Sequence, residues 1–262
     1  MNRVTSKDGT SIAYDKLGNG PALILVDGAL CSRAFGPMPK LASLLQKNFT
    51  VFLYDRRGRG ESTDTKLYDV EREVDDIDAL LQQAGGSAYV FGISSGAGLI
   101  IHAVVRGLNI KKLALYEPPF VAGKNGQHKK TDHESRLKQL IASDRRGDAA
   151  KYFMTKMMGA PAIVVFVMQL MPMWSKLKAV AHTLPYDAAV MGDFTVPEAR
   201  IASIKKPTLI AGGDKSPAAL RNAVQQVADA LPDGTLRWLK DQTHNVKTEI
   251  LAPLLTELFQ ES

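Results

Sequence analysis

Residues 88–105 read AYVFGISSGAGLIIHAVV, and this stretch decides the fold. It begins with a short apolar run, Ala88–Phe91, of the kind that forms a strand buried on both faces. It continues into a helical pattern, Ser95–Leu108. Between them Gly92-Ile93-Ser94-Ser95-Gly96 matches G-x-S-x-G. The pentapeptide alone is a weak signal, because glycine and serine are common. Its setting is what counts: strand, tight turn and helix form the corner that lifts a serine hydroxyl above a sheet. Ser94 is expected at strained backbone angles, and bulk at Gly92 or Gly96 would strike the neighbouring strand or helix. The helix N-terminus points its positive end at any negative charge that develops there. Ser94 is therefore a candidate nucleophile; without chemistry the same residues would be a glycine-rich turn.

Outward from this corner, short apolar runs alternate with helical patterns. Strands are predicted at Ser11–Asp15, Ala22–Val26, Thr50–Tyr54 and Leu113–Tyr116. Helices are predicted at Met38–Lys47 and at Asp69–Gln83, where Val70, Val74, Ile77, Leu80 and Leu81 share one face. The alternation resumes with PTLIAGG at 207–213, a helix over Pro217–Leu231, a strand over Thr235–Leu239 and a last helix from Thr248. Ser216 before Pro217 reads as a helix cap. Such an order implies an α/β fold with a doubly wound, mostly parallel sheet. Residues 121–204 break the pattern. They carry no strand signal, begin with the polar GKNGQHKKTDHES, and hold six of the nine methionines between Met154 and Met173, with Phe153, Phe166 and Trp174. This segment is expected to be a helical cap that packs its own core and in part roofs an apolar pocket. The expected organisation is a core of residues 1–120 and 205–262 with a cap at 121–204.

Composition narrows the classes. Of 262 residues, 45% are hydrophobic and 23% charged, ordinary values for a globular chain. Cys31 is the single cysteine, which excludes a disulfide scaffold and a cysteine-zinc cluster. The start MNRVTSKDGTSIAYDK has no signal-peptide pattern, and the run from Ala160 to Met168 is too short to span a bilayer. A cytoplasmic protein is expected. The net charge of +6 comes from scattered groups, such as Arg56, Arg57 and Arg59, or Lys205 and Lys206. These read as solvated surface, with no nucleic-acid partner expected. No cofactor-binding or metal-ligand pattern occurs, so neither is expected.

Further segments carry a family resemblance. LILVDG at 23–28, YDRRGRGES at 54–62, VFGISSG at 90–96, PTLIAGGD at 207–214 and QTHNV at 242–246 occur in the order of the α/β-hydrolase superfamily. The second resembles that family's YDxRGxGxS. The resemblance spans nearly the whole chain and implies an eight-stranded sheet and the chain order nucleophile, acid, histidine. Of five histidines, it points to His244 as base, over His102 in the helix after the corner and His128, His133 and His182 in the cap. For the acid it leaves two positions. Counted from Gly213, the family's usual slot holds Ser216, and Asp214 lies two residues earlier. The other location, the end of the preceding strand in KLALYEPPF, offers Glu117, as in some haloalkane dehalogenases. Either carboxylate could orient an imidazole and stabilise its charged form.

The resemblance also implies an oxyanion hole made by the N–H groups of Ser95 and Ala29. Here the chain departs from the family pattern: Asp27-Gly28 replaces the usual His-Gly. An ionised carboxylate would oppose an oxyanion, so Asp27 is expected to turn away, pair with Arg56 or Arg57, or stay protonated. It could also touch substrate, and Cys31 could line the pocket. The implied activity is a cofactor-free serine hydrolase for a small to medium apolar ester or lactone, as monomer or homodimer with only a small-molecule partner. The alternatives are a receptor-like binding protein and a non-hydrolytic enzyme (lyase, cyclase or haloperoxidase-like).

Overall fold

The computed structural model describes residues 1–121 and 132–260. Eight strands form one sheet: β1 (Asn2–Thr5), β2 (Ser11–Leu17), β3 (Ala22–Val26), β4 (Thr50–Tyr54), β5 (Ala88–Ile93), β6 (Ile110–Tyr116), β7 (Thr208–Gly213) and β8 (Gly234–Leu239). Their spatial order is β1-β2-β4-β3-β5-β6-β7-β8. β2 runs antiparallel to β1 and β4, and every other neighbouring pair is parallel. The expected strands are present within a few residues of their predicted ends. β1 is the exception; its four residues, NRVT, carry too little apolar character to announce a strand and lie at the sheet edge.

Helices flank both faces. α1 (Met38–Leu45) follows β3, α2 (Val70–Gln83) follows β4 and α3 (Ser95–Val105) follows β5. Between β6 and β7 come α4 (His133–Ala142), α5 (Arg146–Tyr152), α6 (Ala162–Gln169), α7 (Met173–Val180), α8 (Leu184–Met191) and α9 (Glu198–Ile201). α10 (Ala218–Ala230) precedes β8, and α11 (Thr248–Gln260) ends the described chain. Alternating side chains of each strand face opposite layers. Ile24 and Val26 join Val74, Ile77, Ile100 and Val224 on one side. Leu23 and Leu25 join Leu41, Leu45, Leu255 and Phe259 on the other. The whole of β7 is buried, as expected of an interior parallel strand.

The inserted helices have a core of their own around Leu137, Leu140, Phe153, Val165, Trp174 and Leu177, with Leu30 from the loop after β3. They are also anchored below: Val190 and Met191 of α8 and Ile201 of α9 belong to the cluster under the sheet. The apolar side chains of the segment do not all join this core: only Val165 of the eight residues of α6 is buried, while Ile163, Val164, Phe166 and Val167 face outward. Polar residues Lys129, Lys130 and His128 fall outside the described residues. No single helix among the described residues is long and apolar enough to cross a membrane.

Candidate active site

Register brings the carboxyl ends of the central strands level. Val26 of β3 faces Gly92 of β5, Ile93 faces Tyr116 of β6, and Tyr116 faces Ala211 of β7. The residues just beyond these ends meet in the position where open α/β sheets hold their ligands.

Ser94 lies between β5 and α3 with φ 56° and ψ −129°. Such a backbone costs a non-glycine residue on the order of 1–3 kcal/mol, and surrounding structure must impose it. The Ser94 N–H donates to the Tyr116 carbonyl at 2.9 Å, and the Ser94 carbonyl accepts from the Ala97 N–H at 2.9 Å. Neighbouring glycines make room. A Cβ at Gly96 would stand 2.3 Å from the Val26 carbonyl oxygen, and one at Gly92 2.8 Å from the Gly96 oxygen. Gly28, in the loop after β3, approaches so closely that a Cβ there would lie 3.1 Å from the Ser94 Cβ.

The end of β6 joins the serine to the histidine. The Tyr116 hydroxyl donates to the Thr243 carbonyl at 2.7 Å, one residue before His244. Glu117, itself forced to a positive φ of 46°, is fully buried. Its Oε2 lies 2.8 Å from His244 Nδ1. Its Oε1 accepts from the Gly213 N–H at 2.7 Å and from the Ser216 hydroxyl at 2.6 Å. Every strong acceptor of this buried carboxylate therefore has a donor, the condition under which burial of the charge is tolerable. With Nδ1–H donating to Glu117, His244 Nε2 is left as the basic nitrogen, and it has no partner among the described residues. Asp214 makes no hydrogen bond to His244; its backbone N–H donates to the Leu239 carbonyl and its buried Oδ1 has no partner. The other described histidines lie elsewhere: His102 Nε2 meets the Val190 carbonyl, His133 Nδ1 the Tyr152 hydroxyl, and His182 Nε2 stands 3.9 Å from an Asp64 oxygen.

Ser216 corrects an expectation. α10 starts at Ala218 with Pro217 as its cap, and no side chain caps it. The Ser216 hydroxyl is instead committed to Glu117.

On the opposite flank of Ser94, the N–H groups of Ala29 and Ser95 have no partner among the described residues. Asp27 precedes them, 4% exposed. Its Oδ1 accepts from the Gly28 N–H at 2.8 Å, and its Oδ2 stands beside the Cys31 thiol over Gly36. The carboxyl thus faces the loop, and no arginine reaches it by a hydrogen bond; Arg56 donates to the Asp27 carbonyl at 3.3 Å instead. Burial pushes the Asp27 carboxyl up to about 7, against weaker pulls downward from the Gly28 N–H and from Arg59 and Arg56. Burial, and then the neighbouring Asp27 charge, also push the Cys31 thiol up, so Cys31 is not a thiolate nucleophile.

Arg56, Arg57 and Arg59 are not solvated surface. They are 2%, 0% and 1% exposed. Each guanidinium is matched by carboxylates that lie far away in sequence. Arg57 is held by Asp76 at 2.7 and 2.8 Å. Arg56 is gripped by Glu73 at 2.8 and 2.9 Å and reaches Asp187 of α8 at 2.8 Å. Arg59 donates to both Asp187 oxygens at 2.8 Å, to Thr183 at 3.1 Å and to the Gly28 carbonyl. Burial alone would raise the Asp187 carboxyl; Arg59, then Arg56 and the Ser95 hydroxyl outweigh it and hold the group below its ordinary value.

A family model described as the alpha/beta hydrolase family matches residues 22–250. The chain belongs to the alpha/beta hydrolase family. An alpha/beta hydrolase from Sphaerobacter thermophilus is 50% identical, with 99% of this chain and 100% of that one aligned and a TM-score of 0.91. An enol-lactonase from Burkholderia xenovorans superposes with a TM-score of 0.74 over 99% of this chain and 100% of its own, at 18% identity. A 2-hydroxy-6-oxo-6-phenylhexa-2,4-dienoate hydrolase from Rhodococcus gives 0.70, also at 18% identity, over 100% and 99%. The last two share the fold.

Of the candidates in this alpha/beta hydrolase, Ser94, His244, Glu117 and the alternative acid Asp214, the structure brings Glu117 and His244 into contact. Sequence reasoning missed Asp187, which lies in the segment without a strand signal. A usable signal existed: arginines at 56 and 59, between a buried strand and an apolar helix face, need buried carboxylates. A cavity of about 610 Å³ opens within the insertion between Arg146, Lys151 and Lys178, and no residue of the site lines it.

Proposed function

We propose that this alpha/beta hydrolase is a serine hydrolase that cleaves a small to medium apolar ester or lactone through an acyl-enzyme on Ser94. The observation that carries the reading is the His244–Glu117 contact of 2.8 Å, made by a buried carboxylate beside the strained Ser94 corner. In this reading Ser94 Oγ attacks the substrate carbonyl while His244 Nε2 takes its proton. Glu117 keeps Nδ1–H in the correct tautomer and stabilises the imidazolium. The Ala29 and Ser95 N–H groups receive the oxyanion. His244 then protonates the leaving alkoxide, and a water, deprotonated by the same nitrogen, releases the acid product. The insertion acts as the cap over the acyl portion.

Asp27 does not oppose this chemistry. Its carboxyl faces Cys31 and Gly36 rather than Ser94, and burial favours its neutral form. The names of the lactonase and dienoate-hydrolase neighbours support a hydrolytic assignment, and lactones join p-nitrophenyl esters in the substrate panel. The test is stoichiometric labelling by a fluorophosphonate together with hydrolysis of these substrates. Labelling and turnover that vanish in Ser94→Ala support the reading; folded protein that neither labels nor hydrolyses overturns it.

A further inference from the structure

Asp187 lies in the inserted helices, 92 positions from Ser95, yet its Oδ1 accepts the Ser95 hydroxyl at 2.7 Å. Both of its oxygens take Arg59, whose other terminal nitrogen donates to the Gly28 carbonyl. We propose that Asp187 and Arg59 are positioning residues that aim both N–H donors of the oxyanion hole. This inference rests on the serine-hydrolase reading.

The geometry follows from peptide planarity. The Gly28 carbonyl and the Ala29 N–H belong to one trans peptide and point in opposite directions. Holding the carbonyl inward on Arg59 turns the N–H outward. Gly28 itself packs against Ser94, a Cβ there standing 3.1 Å from the serine Cβ, so the peptide that Arg59 holds borders the serine. Leu30, the next residue, has a φ of 61°, so the loop is not in a relaxed extended path and needs such a restraint. On the other side, the Ser95 hydroxyl is fixed between Asp187 and Arg56 Nη1, which lies 3.3 Å away. That fixes the first residue of α3, whose N–H is the second donor. Arg56 also holds the Asp27 carbonyl, and Glu73 with the Tyr68 hydroxyl locks Arg56 in place. Asp187 is thus a hub for both halves of the hole. Arg56 and Arg59 occupy two of the three variable positions inside the YDxRGxGxS segment, so the family resemblance does not assign them this role. A mis-aimed oxyanion donor costs rate steeply, because its contact forms only in the transition state.

The competing view is that these ions only stabilise the fold. Arg57 and Asp76 supply the control: the same turn and the same burial, but contacts only to Asp8, Thr65 and the Arg72 carbonyl. The experiment measures kcat, KM and the inhibition constant of a boronic acid on Asp187→Asn, Arg59→Lys, Ser95→Ala, Arg57→Lys and Asp76→Asn, with unfolding midpoints alongside. We expect kcat to fall about 100-fold in Asp187→Asn and Arg59→Lys, with KM within threefold and boronate binding weakened in parallel. Ser95→Ala, the mildest change, should lose about tenfold and carries the test where the charge variants do not fold. Arg57→Lys and Asp76→Asn should lose stability with kcat within threefold. The proposal is overturned if the folded hub variants keep kcat within threefold, or if the control pair loses as much. Ser94→Ala separates the two readings: full turnover in that variant sinks the serine-hydrolase reading itself, whereas a dead Ser94→Ala beside active hub variants sinks only the positioning role.

Discussion

The two flanks of Ser94 are built differently. The acid–histidine flank is assembled from the ends of β6 and β7 and the loop after β8, and its buried carboxylate is satisfied by Gly213, Ser216 and His244. The flank proposed to hold the oxyanion draws its carboxylate from α8, through guanidiniums that start in the turn after β4. One flank is closed within the sheet; the other is completed by the insertion. Short-range strand register fixes the first. The second depends on burying two arginines against one aspartate, a contact that is strong only while every member is present.

Substitutions on the two flanks should therefore fail in different ways. The largest effect is expected on the acid side. Glu117→Gln removes the charge that orders His244 and should lower kcat by roughly 10³-fold; a variant that keeps most of its rate, with Asp214→Asn inactive instead, would reverse the acid assignment. Loss on this side should also distort the pH–rate profile, whereas the Asp187 variants should keep its shape while losing height. Ser216→Ala comes next. It leaves Gly213 as the sole donor to Oε1, so we expect about a tenfold drop in kcat and a destabilisation of about 2 kcal/mol by chemical denaturation; no change in either would show that the hydroxyl is dispensable.

Asp27 offers a third contrast, visible in stability more than in rate. Its folded carboxyl titrates at about 7, raised by burial from an unfolded value of 3.8. A raised acid means that the folded state binds more protons between those values, so stability falls as pH rises from about 4 through 7 and then levels. Asp27→Asn removes that fall. Its advantage in melting temperature over the parent should grow by roughly 5 °C or more between pH 5 and pH 8. A constant difference across that range would place the Asp27 titration elsewhere. The smallest effect belongs to Asp214→Asn, expected within threefold of the parent kcat.

The same division marks what could be read in the sequence. The corner at 92–96 and the interior strands follow from local patterns, apolar runs and small residues at a tight turn. His244 comes from the family resemblance, which leaves Glu117 and Asp214 both open as its partner; the 2.8 Å contact chooses Glu117. Four features escaped, each for a non-local reason. β1 is a polar edge strand recognised only by its pairing with β2. Ser216 has the sequence of a helix cap, but a buried carboxylate 99 positions away takes its hydroxyl. Arg56, Arg57 and Arg59 look solvated because their partners Glu73, Asp76 and Asp187 are separated from them along the chain. α6 is apolar nearly throughout, yet its eight residues leave only Val165 inside, because the insertion closes its core with α5, α7 and Leu30.

The link through Asp187 bears on modularity. Insertions of this kind invite exchange between relatives as detachable units. In this chain a transplant that brought α8 without its aspartate would leave the buried Arg59 without a carboxylate, while Arg56 would keep Glu73. Arg59 and Asp187 therefore form one pair that spans the boundary between sheet and insertion. An exchange that separates them leaves a buried charge uncompensated on one side of the seam.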